Sequence, residues 1–579
     1  MSDGAYLVLD GASLTVEDLV RAARDPSVQV LCDPKAMEHV ARGRARLDAL
    51  VAEYRRAYAA WQAAPATAPP PKMTYGVTTG FGLFKNVPIP PDLIDETQRR
   101  LLRSHMAGVG DNAIADDWSN YFPAEVVRAA LLLRLNALLK GHSGVRPVLL
   151  ETIVAILNAG VIPLVPTRGS LGASGDLCPL SHLFGVLLGE GRFYVVRDED
   201  GVRAGPHDVR PAAELAAILD MPLPTPAHKE GLALNNGTSF STALLALAVH
   251  DARILANTAD TAAALAIEAV GGRTHAFDPR VHAIRGHAGQ IAVATHLRAL
   301  LNCSKLINRS VEVQDVYSLR CVPQVHGASR DALDHVAAIV QRELNAATDN
   351  PLFFPDDPDA DEAFSAGNFH GQPIALAADY LAIAVAEFAN ISERRTQMLL
   401  DANHNRGLPA NLVVRRGVNS GYMIAQYTAA ALVSENKVLA HPASVDSIPS
   451  SANSEDHVSM SLTAARKLRL ILANAQAVIA IELMVSAQAV DWRAGMSVDP
   501  NETTRSMRDL AAIEAEATAF AESTRPDRQN SIITQLGAGT RAAYEKVRAI
   551  IPPLLDDRPL DGDIIQLRRA IETESFGDP

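Results

Sequence analysis

Arg320, in the stretch VQDVYSLRCVPQ (313–324), presents a planar guanidinium fork that can hold an amino-acid carboxylate by two charge-assisted bonds. Each such bond contributes around 1.5 to 3 kcal/mol. A second kind of chemistry lies in GSLGASGDLCPLSHL (169–183), where the small tripeptide Ala173-Ser174-Gly175 sits among turn formers just before an apolar helical start. By residue type alone that stretch is a helix N-terminus, with Ser174 or Asp176 capping free N–H groups and Gly175 permitting the turn. Further polar groups stand in short stretches that are turn-rich or precede apolar runs. Tyr75 lies in TYGVTTGFG, Ser104 and His105 in RSHMAGVG, Asn235 and Asn236 in KEGLALNNGT, and Glu455 in SSANSEDHVSM. Read singly, the asparagines suit a helix N-cap and Glu455-Asp456 a helix N-terminal charge pair. Cys178 and His182 share one helical face, but two ligands make no metal site, and no metal is expected.

These groups need a scaffold, and the composition indicates a helical one. The 579 residues are 48% hydrophobic and 21% charged, and rich in alanine, the strongest helix former. No Gly or Pro interrupts 239–270, 374–406, 422–441 or 451–494, which predicts four long helices. At 1.5 Å per residue the first would reach roughly 48 Å. Alanine-rich faces such as ALAADYLAIAVAEFA (375–389) suit close packing on several sides, so a central bundle extended by oligomerisation is expected. The stretch 502–524 predicts a further helix. The proline-rich 64–71 reads as a linker, 193–202 as a hairpin turning at Asp200-Gly201, and 354–362 as an acidic surface loop. Three regions are expected: 1–225, 226–495 and 496–579.

A net charge of −13 with no basic cluster argues against a nucleic-acid partner. Four scattered cysteines fit reduced thiols. The acidic N-terminus (Asp3, Asp10) lacks the basic start of a signal peptide, and no run of eighteen uncharged apolar residues occurs, so a cytoplasmic protein outside the membrane is expected.

Taken in order along the chain, these motifs resemble the signature of the aromatic amino-acid lyases: histidine, phenylalanine and tyrosine ammonia-lyases and the related aminomutases. The resemblance runs from about Tyr75 to Met460, and implies an all-α fold of the fumarase/aspartase-like superfamily with a smaller mixed N-terminal region. In that family the Ala-Ser-Gly tripeptide cyclises to a methylidene-imidazolone (MIO) ring. The glycine nitrogen attacks the alanine carbonyl and the serine loses water, so Ala173, Ser174 and Gly175 would supply the electrophile with no external cofactor. By the same resemblance Tyr75 is the base on a glycine-rich lid, with its pKa lowered from about 10 to act as phenolate. Ser104 and His105 line the side-chain pocket, Asn236 contacts substrate and ring, and Gln314, Tyr317 and Arg320 are active-site residues. Phe369, in GNFHGQP, stands beside the ring, and Glu455 near the substrate amine and side chain.

The family likeness is strongest to histidine ammonia-lyases, where a Ser-His pair and a glutamate at the position of Glu455 are usual, and the run 417–449 is most like theirs. Histidine giving urocanate is therefore the leading expectation. Asn235 departs from an apolar residue and, reaching into the pocket, would bind a polar ring substituent or a nitrogen of the substrate; with Ser454 in place of a glutamine, this leaves open a ring-substituted phenylalanine or tyrosine as substrate, or an aminomutase outcome. A reading of another class is a catalytically silent helical binding protein. The resemblance also implies a homotetramer whose active sites are shared between subunits.

Overall fold

The computed structural model describes residues 6–110, 119–196, 206–357, 363–501, 510–574 and 576. The Asp200-Gly201 turn, part of the acidic 354–362 loop, Asp3 and the start of the expected 502–524 helix lie outside them. Helices dominate. The predicted long ones are Ser239–Ala269, Gln372–Leu400, Met423–Leu439 and Ser461–Val490. Their interiors lack Gly and Pro and are filled with alanine, so they propagate without interruption and pack closely.

Two boundaries differ from expectation. The second helix stops at Leu400, where Asp401 takes the Asn403 amide and the His404 imidazole into a tight turn. The fourth begins at Ser461 instead of residue 451, because Ser451, Ala452 and Asn453 take left-handed φ angles of 51°, 50° and 63°. Glu455 thus sits in a bridged turn, not at a helix N-terminus. A fifth helix is described over Leu510–Ser523.

Three of these helices, Ser239–Ala269, Gln372–Leu400 and Ser461–Gly495, are long and apolar enough to cross a membrane by length and composition. The most apolar windows are 83%, 72% and 78% buried inside the protein, which is the environment a close-packed helical core provides.

The chain forms two compact units. The first comprises Met1–His250, Ala337–Asp379 and Pro442–Arg466. It holds all the described strands: Tyr6–Leu9 parallel to Gln29–Cys32, and an antiparallel trio ordered Val161–Pro163, Arg192–Val195, Arg210–Pro211. Its helix Pro34–Ala63 starts on an Asp33 cap with Pro34 at the first helical position. Leu47, Val51 and Tyr54 of that helix pack with Val77, Ile89, Ile94 and Phe353. This cluster pins both ends of the 75–89 loop, and the Tyr54 hydroxyl donates to the Ile89 carbonyl at 2.8 Å. The second unit comprises Asp251–Val336, Tyr380–His441 and Lys467–Pro579. Its core includes the buried Arg395–Glu482 pair and an Asp260 carboxylate that accepts from His326, His296 and Arg330.

Candidate active site

Seven of the residues singled out in the sequence line one cavity of about 670 Å³ in the first unit: Tyr75, Ser104, His105, Ser174, Asn236, Phe369 and Glu455. They come from segments as far apart as residues 75 and 455, brought together by the fold of one unit.

Ser174 occupies a tight turn. The Gly175 N–H donates to the Gly172 carbonyl at 3.3 Å, enclosing Ala173 and Ser174 as the central residues, and φ is +55° at Ser174 and +76° at Gly175. The turn is clamped from one side by Gly237, whose N–H donates to the Ser174 carbonyl (3.2 Å) and whose carbonyl accepts the Asp176 N–H (2.7 Å). A Cβ on Gly175 would fall on the Gly237 carbonyl. A backbone folded this tightly, with a glycine nitrogen unencumbered by side chain, fits the cyclisation that the family resemblance implies. Asp176 is fully buried, accepts from both the N–H and the hydroxyl of Ser241, and has its carboxyl pushed up to about 6 by burial.

Asn236 ends the short helix Glu230–Asn235 and does not cap the following one. Its Nδ2 donates to the Asn350 carbonyl at 3.2 Å, and its buried Oδ1 has no hydrogen-bond partner among the described residues. Arg134, wholly buried, donates to the Asn236 carbonyl at 2.6 Å. Lys229 and Asp349, both buried, pair at 2.7 Å next to Asn350. Asn235 behaves differently from the expectation that it reaches the substrate. Its Nδ2 donates to the Ser181 hydroxyl at 3.1 Å and it is absent from the cavity wall, because successive positions on a helix point in different directions.

His105 closes the helix Ile94–His105. Its Nδ1 lies 2.9 Å from the Leu101 carbonyl, which can only accept, so Nδ1 carries the proton and Nε2 keeps its lone pair. Ser104 donates to the same carbonyl at 3.0 Å. Burial lowers the His105 pKa, against the raising effects of the Leu101 carbonyl and Glu455. Glu455 accepts from the Ser450 hydroxyl at 3.0 Å through Oε2.

Tyr75 accepts an N–H from Gly82, seven residues along its own loop, at 3.4 Å. The lowered pKa expected of a phenolate base is not what this environment provides: burial pushes the phenol up, Glu455 adds to that, and only the Gly82 N–H acts downward.

Gln314, Tyr317 and Arg320 belong to the second unit and do not line this cavity. Tyr317 is 72% exposed at the start of a short helix, Tyr317–Arg320, and the Arg320 guanidinium stacks over its ring at 4.6 Å. Arg320 Nε is buried without a hydrogen-bond partner among the described residues. Cys178 and His182 gain no third ligand: His182 Nε2 accepts the Gly108 N–H, and among the described residues no group of three His, Cys, Asp or Glu side chains is placed to hold a metal ion. Lys85, Arg100, Ser365 and Ser451 also line the cavity, and nothing in their types or spacing marked them in the sequence.

Fold and site together define a largely helical protein whose cavity is built around a tight Ser174 turn, and comparison with known proteins gives it a family. The family model for aromatic amino acid lyases matches residues 14–549. The chain is 47% identical over 563 residues to a histidine ammonia-lyase of Symbiobacterium thermophilum, covering 97% of this chain and 96% of that one. Among solved structures, histidine ammonia-lyase from Trypanosoma cruzi superposes with a TM-score of 0.78 at 37% identity, over 98% of this chain and 93% of that chain. Tyrosine aminomutase from Streptomyces globisporus does so at 0.77 and 35% identity, over 98% and 96%. The chain belongs to the aromatic amino acid lyase family and is a carbon–nitrogen lyase.

Proposed function

We propose that the protein eliminates ammonia from L-histidine to give urocanate, using an MIO ring made from Ala173, Ser174 and Gly175. The observation that carries this reading is that His105 and Glu455 face the same cavity as Ser174. The His105 Nε2 lone pair and the Glu455 carboxylate are both acceptors, suited to the two N–H groups of a protonated imidazole ring. The names of the relatives agree in kind.

The ring, once formed, supplies an electrophile for the substrate amine, converting a poor leaving group into a better one. Arg320 holds the carboxylate through its fork, and Asn236 Oδ1 takes an N–H of the bound substrate. Tyr75 receives the β-proton at its phenolic oxygen, and the carbon–nitrogen bond breaks to leave the unsaturated acid. Burial is the main cause that raises the Tyr75 pKa, and a cationic group of the substrate against Glu455 offsets the smaller contribution of that carboxylate. Tyr317, 72% exposed, and Val313, 94% exposed, together with Tyr380, Ile383, Ile424, Tyr427 and Val438 on the second unit's long helices, form apolar surface that a soluble chain covers with further copies of itself. We read the assembly as a cytoplasmic homotetramer in which Gln314, Tyr317 and Arg320 of one copy complete the cavity of another.

An aromatic substrate bearing a ring substituent, or an aminomutase outcome, draws support from Ser454 in the cavity wall and from the aminomutase relative. Asn235 no longer adds to it, being committed to Ser181. The test is incubation with histidine, tyrosine and phenylalanine, following ammonia and unsaturated-acid absorbance. Histidine alone should be turned over quickly. Inert histidine beside rapid tyrosine turnover would transfer the assignment, and a mature protein whose intact mass lacks a deficit of two waters would sink the ring.

A further inference from the structure

Three consecutive non-glycine residues with left-handed backbone are costly, about 1–2 kcal/mol each, and such strain persists where the surroundings over-determine it. Ser451, Ala452 and Asn453 form such a run. It is closed by a two-way bridge between Ser450 and Glu455, with N···O distances of 2.9 and 3.3 Å, and the Ser450 hydroxyl also holds the Glu455 carboxylate. The strained run aims one group outward. The Ser451 hydroxyl accepts the Leu83 N–H at 3.2 Å, across 368 residues of sequence. Leu83 is the middle residue of the one-turn helix Gly82–Phe84 at the tip of the Tyr75 loop. The tip is tied within the loop by backbone bonds such as Gly80 N–H to the Val87 carbonyl at 3.1 Å, while its Leu83 and Phe84 side chains are 57% and 62% exposed. Gly82 lies so close to Ser451 that a Cβ there would overlap its hydroxyl, and the Gly82 N–H is the donor to the Tyr75 phenolic oxygen.

We infer that Ser451 is a positioning residue for the base: its hydroxyl latches the tip of the Tyr75 loop, and through Gly82 fixes the amide that faces the Tyr75 oxygen. One strained turn then sets two groups at once, Tyr75 through Ser451 and Glu455 through Ser450. Closure of the loop and placement of the carboxylate that reads the substrate side chain are mechanically linked. The role of Tyr75 as base rests on the function proposed above; the latch itself does not.

The test uses full-length Ser451→Ala, Gly82→Ala and the double variant, each confirmed by intact mass to carry the same deficit as the parent. Limited trypsin cleavage after the exposed Lys85 reports release of the loop without reference to activity. Ser451→Ala should speed that cut and lower kcat, each by about 3- to 10-fold, with KM little changed, as loss of one hydrogen bond to a loop predicts. Gly82→Ala should cost clearly less in the Ser451→Ala background than alone, since its Cβ then meets no hydroxyl. Cleavage at the parent rate in Ser451→Ala, or equal cost of Gly82→Ala in both backgrounds, would overturn the latch. A parent enzyme inactive on every amino acid would refute the functional reading while the cleavage results still judged the latch.

Discussion

Lys229 and Asp349, the residue before Asn350 of the cavity wall, are 0% and 1% exposed and pair at 2.7 Å, so their charges have no recourse to solvent. Asp349→Asn removes one charge and leaves the ammonium buried. Breaking a buried pair from one side costs about 3–5 kcal/mol. A second route to the magnitude agrees. Burial already lowers the Lys229 pKa from its ordinary 10.5, Asp349 opposes that, and the Arg134 cation adds to it. Without Asp349 the amine can escape only by losing its proton, and at pH 7 that costs at most about 1.36 × 3.5, or roughly 4.8 kcal/mol. With 579 residues at about 2.1 cal/mol/K each, the unfolding entropy is about 1.2 kcal/mol/K, so the loss appears as a melting-temperature drop of about 2.5 to 4 °C.

The pH dependence has a definite sign. In the variant the unfolded chain binds the Lys229 proton up to about pH 10.5 while the folded chain does not, so stability rises with pH across that window. By pH 10 the ceiling falls to roughly 0.7 kcal/mol and the deficit against the parent to less than about 1 °C. Differential scanning calorimetry of parent and variant from pH 7 to 10 measures both. Replacing both partners, Lys229→Met with Asp349→Asn, should recover part of the loss, because the unpaired ammonium is gone while the buried Arg134 guanidinium still lacks the Asp349 charge that opposes its desolvation. A single variant melting within about 1 °C of the parent at pH 7, or a deficit that widens toward pH 10, would refute the reasoning.

Gly175→Ala places a Cβ on the Gly237 carbonyl at a left-handed backbone position, so the two-water mass deficit should be absent and kcat reduced about 10²- to 10³-fold or more; a variant with the deficit intact contradicts the cyclisation geometry. Glu455→Gln removes a charge that raises the Tyr75 pKa, so the acid limb of kcat/KM should move to lower pH while KM for histidine rises; an upward move would disprove that coupling. Arg320→Lys keeps the charge but loses the fork, and kcat/KM should fall about 10- to 150-fold, corresponding to one charge-assisted bond. Mixing inactive Ser174→Ala and Arg320→Ala chains under refolding conditions should restore activity that neither has alone, and failure to do so at normal tetramer yield would count against sites shared between copies.

The elements easiest to read from sequence were those whose physics is local. Helix 239–269 needs only uninterrupted alanine-rich chain, and its end was foreseen to within one residue because Gly271 and Gly272 follow it. The chemistry was less local. Ser174 among small residues looks like any helix start, and became informative only beside six other motifs whose order resembles one family; nothing in the tripeptide reveals that Gly237 would clamp it. Arg320 could be recognised as a carboxylate fork from its side chain alone, yet its unit assignment follows from contacts of residues 251–336, which no motif encodes.

The misread helix start at residue 451 shows where such reading stops. Ser451-Ala452-Asn453 contains no Gly or Pro, and by propensity it extends the helix that follows. The structure instead takes it through three left-handed residues, at a cost helix propensity does not anticipate, because the Ser450–Glu455 bridge closes the turn locally and the Leu83 amide, distant in sequence, holds it. Asn235 errs in the opposite direction. It looked chemically meaningful because its type departs from the family pattern, whereas its direction, set by one helical step from Asn236, commits it to Ser181 inside the core. Residue type announces what a side chain can do, and only the backbone around it decides whether it faces the substrate. The most consequential polar contacts of this site, Ser451 to Leu83 and Arg134 to Asn236, are therefore ones in which a side chain holds a backbone in place.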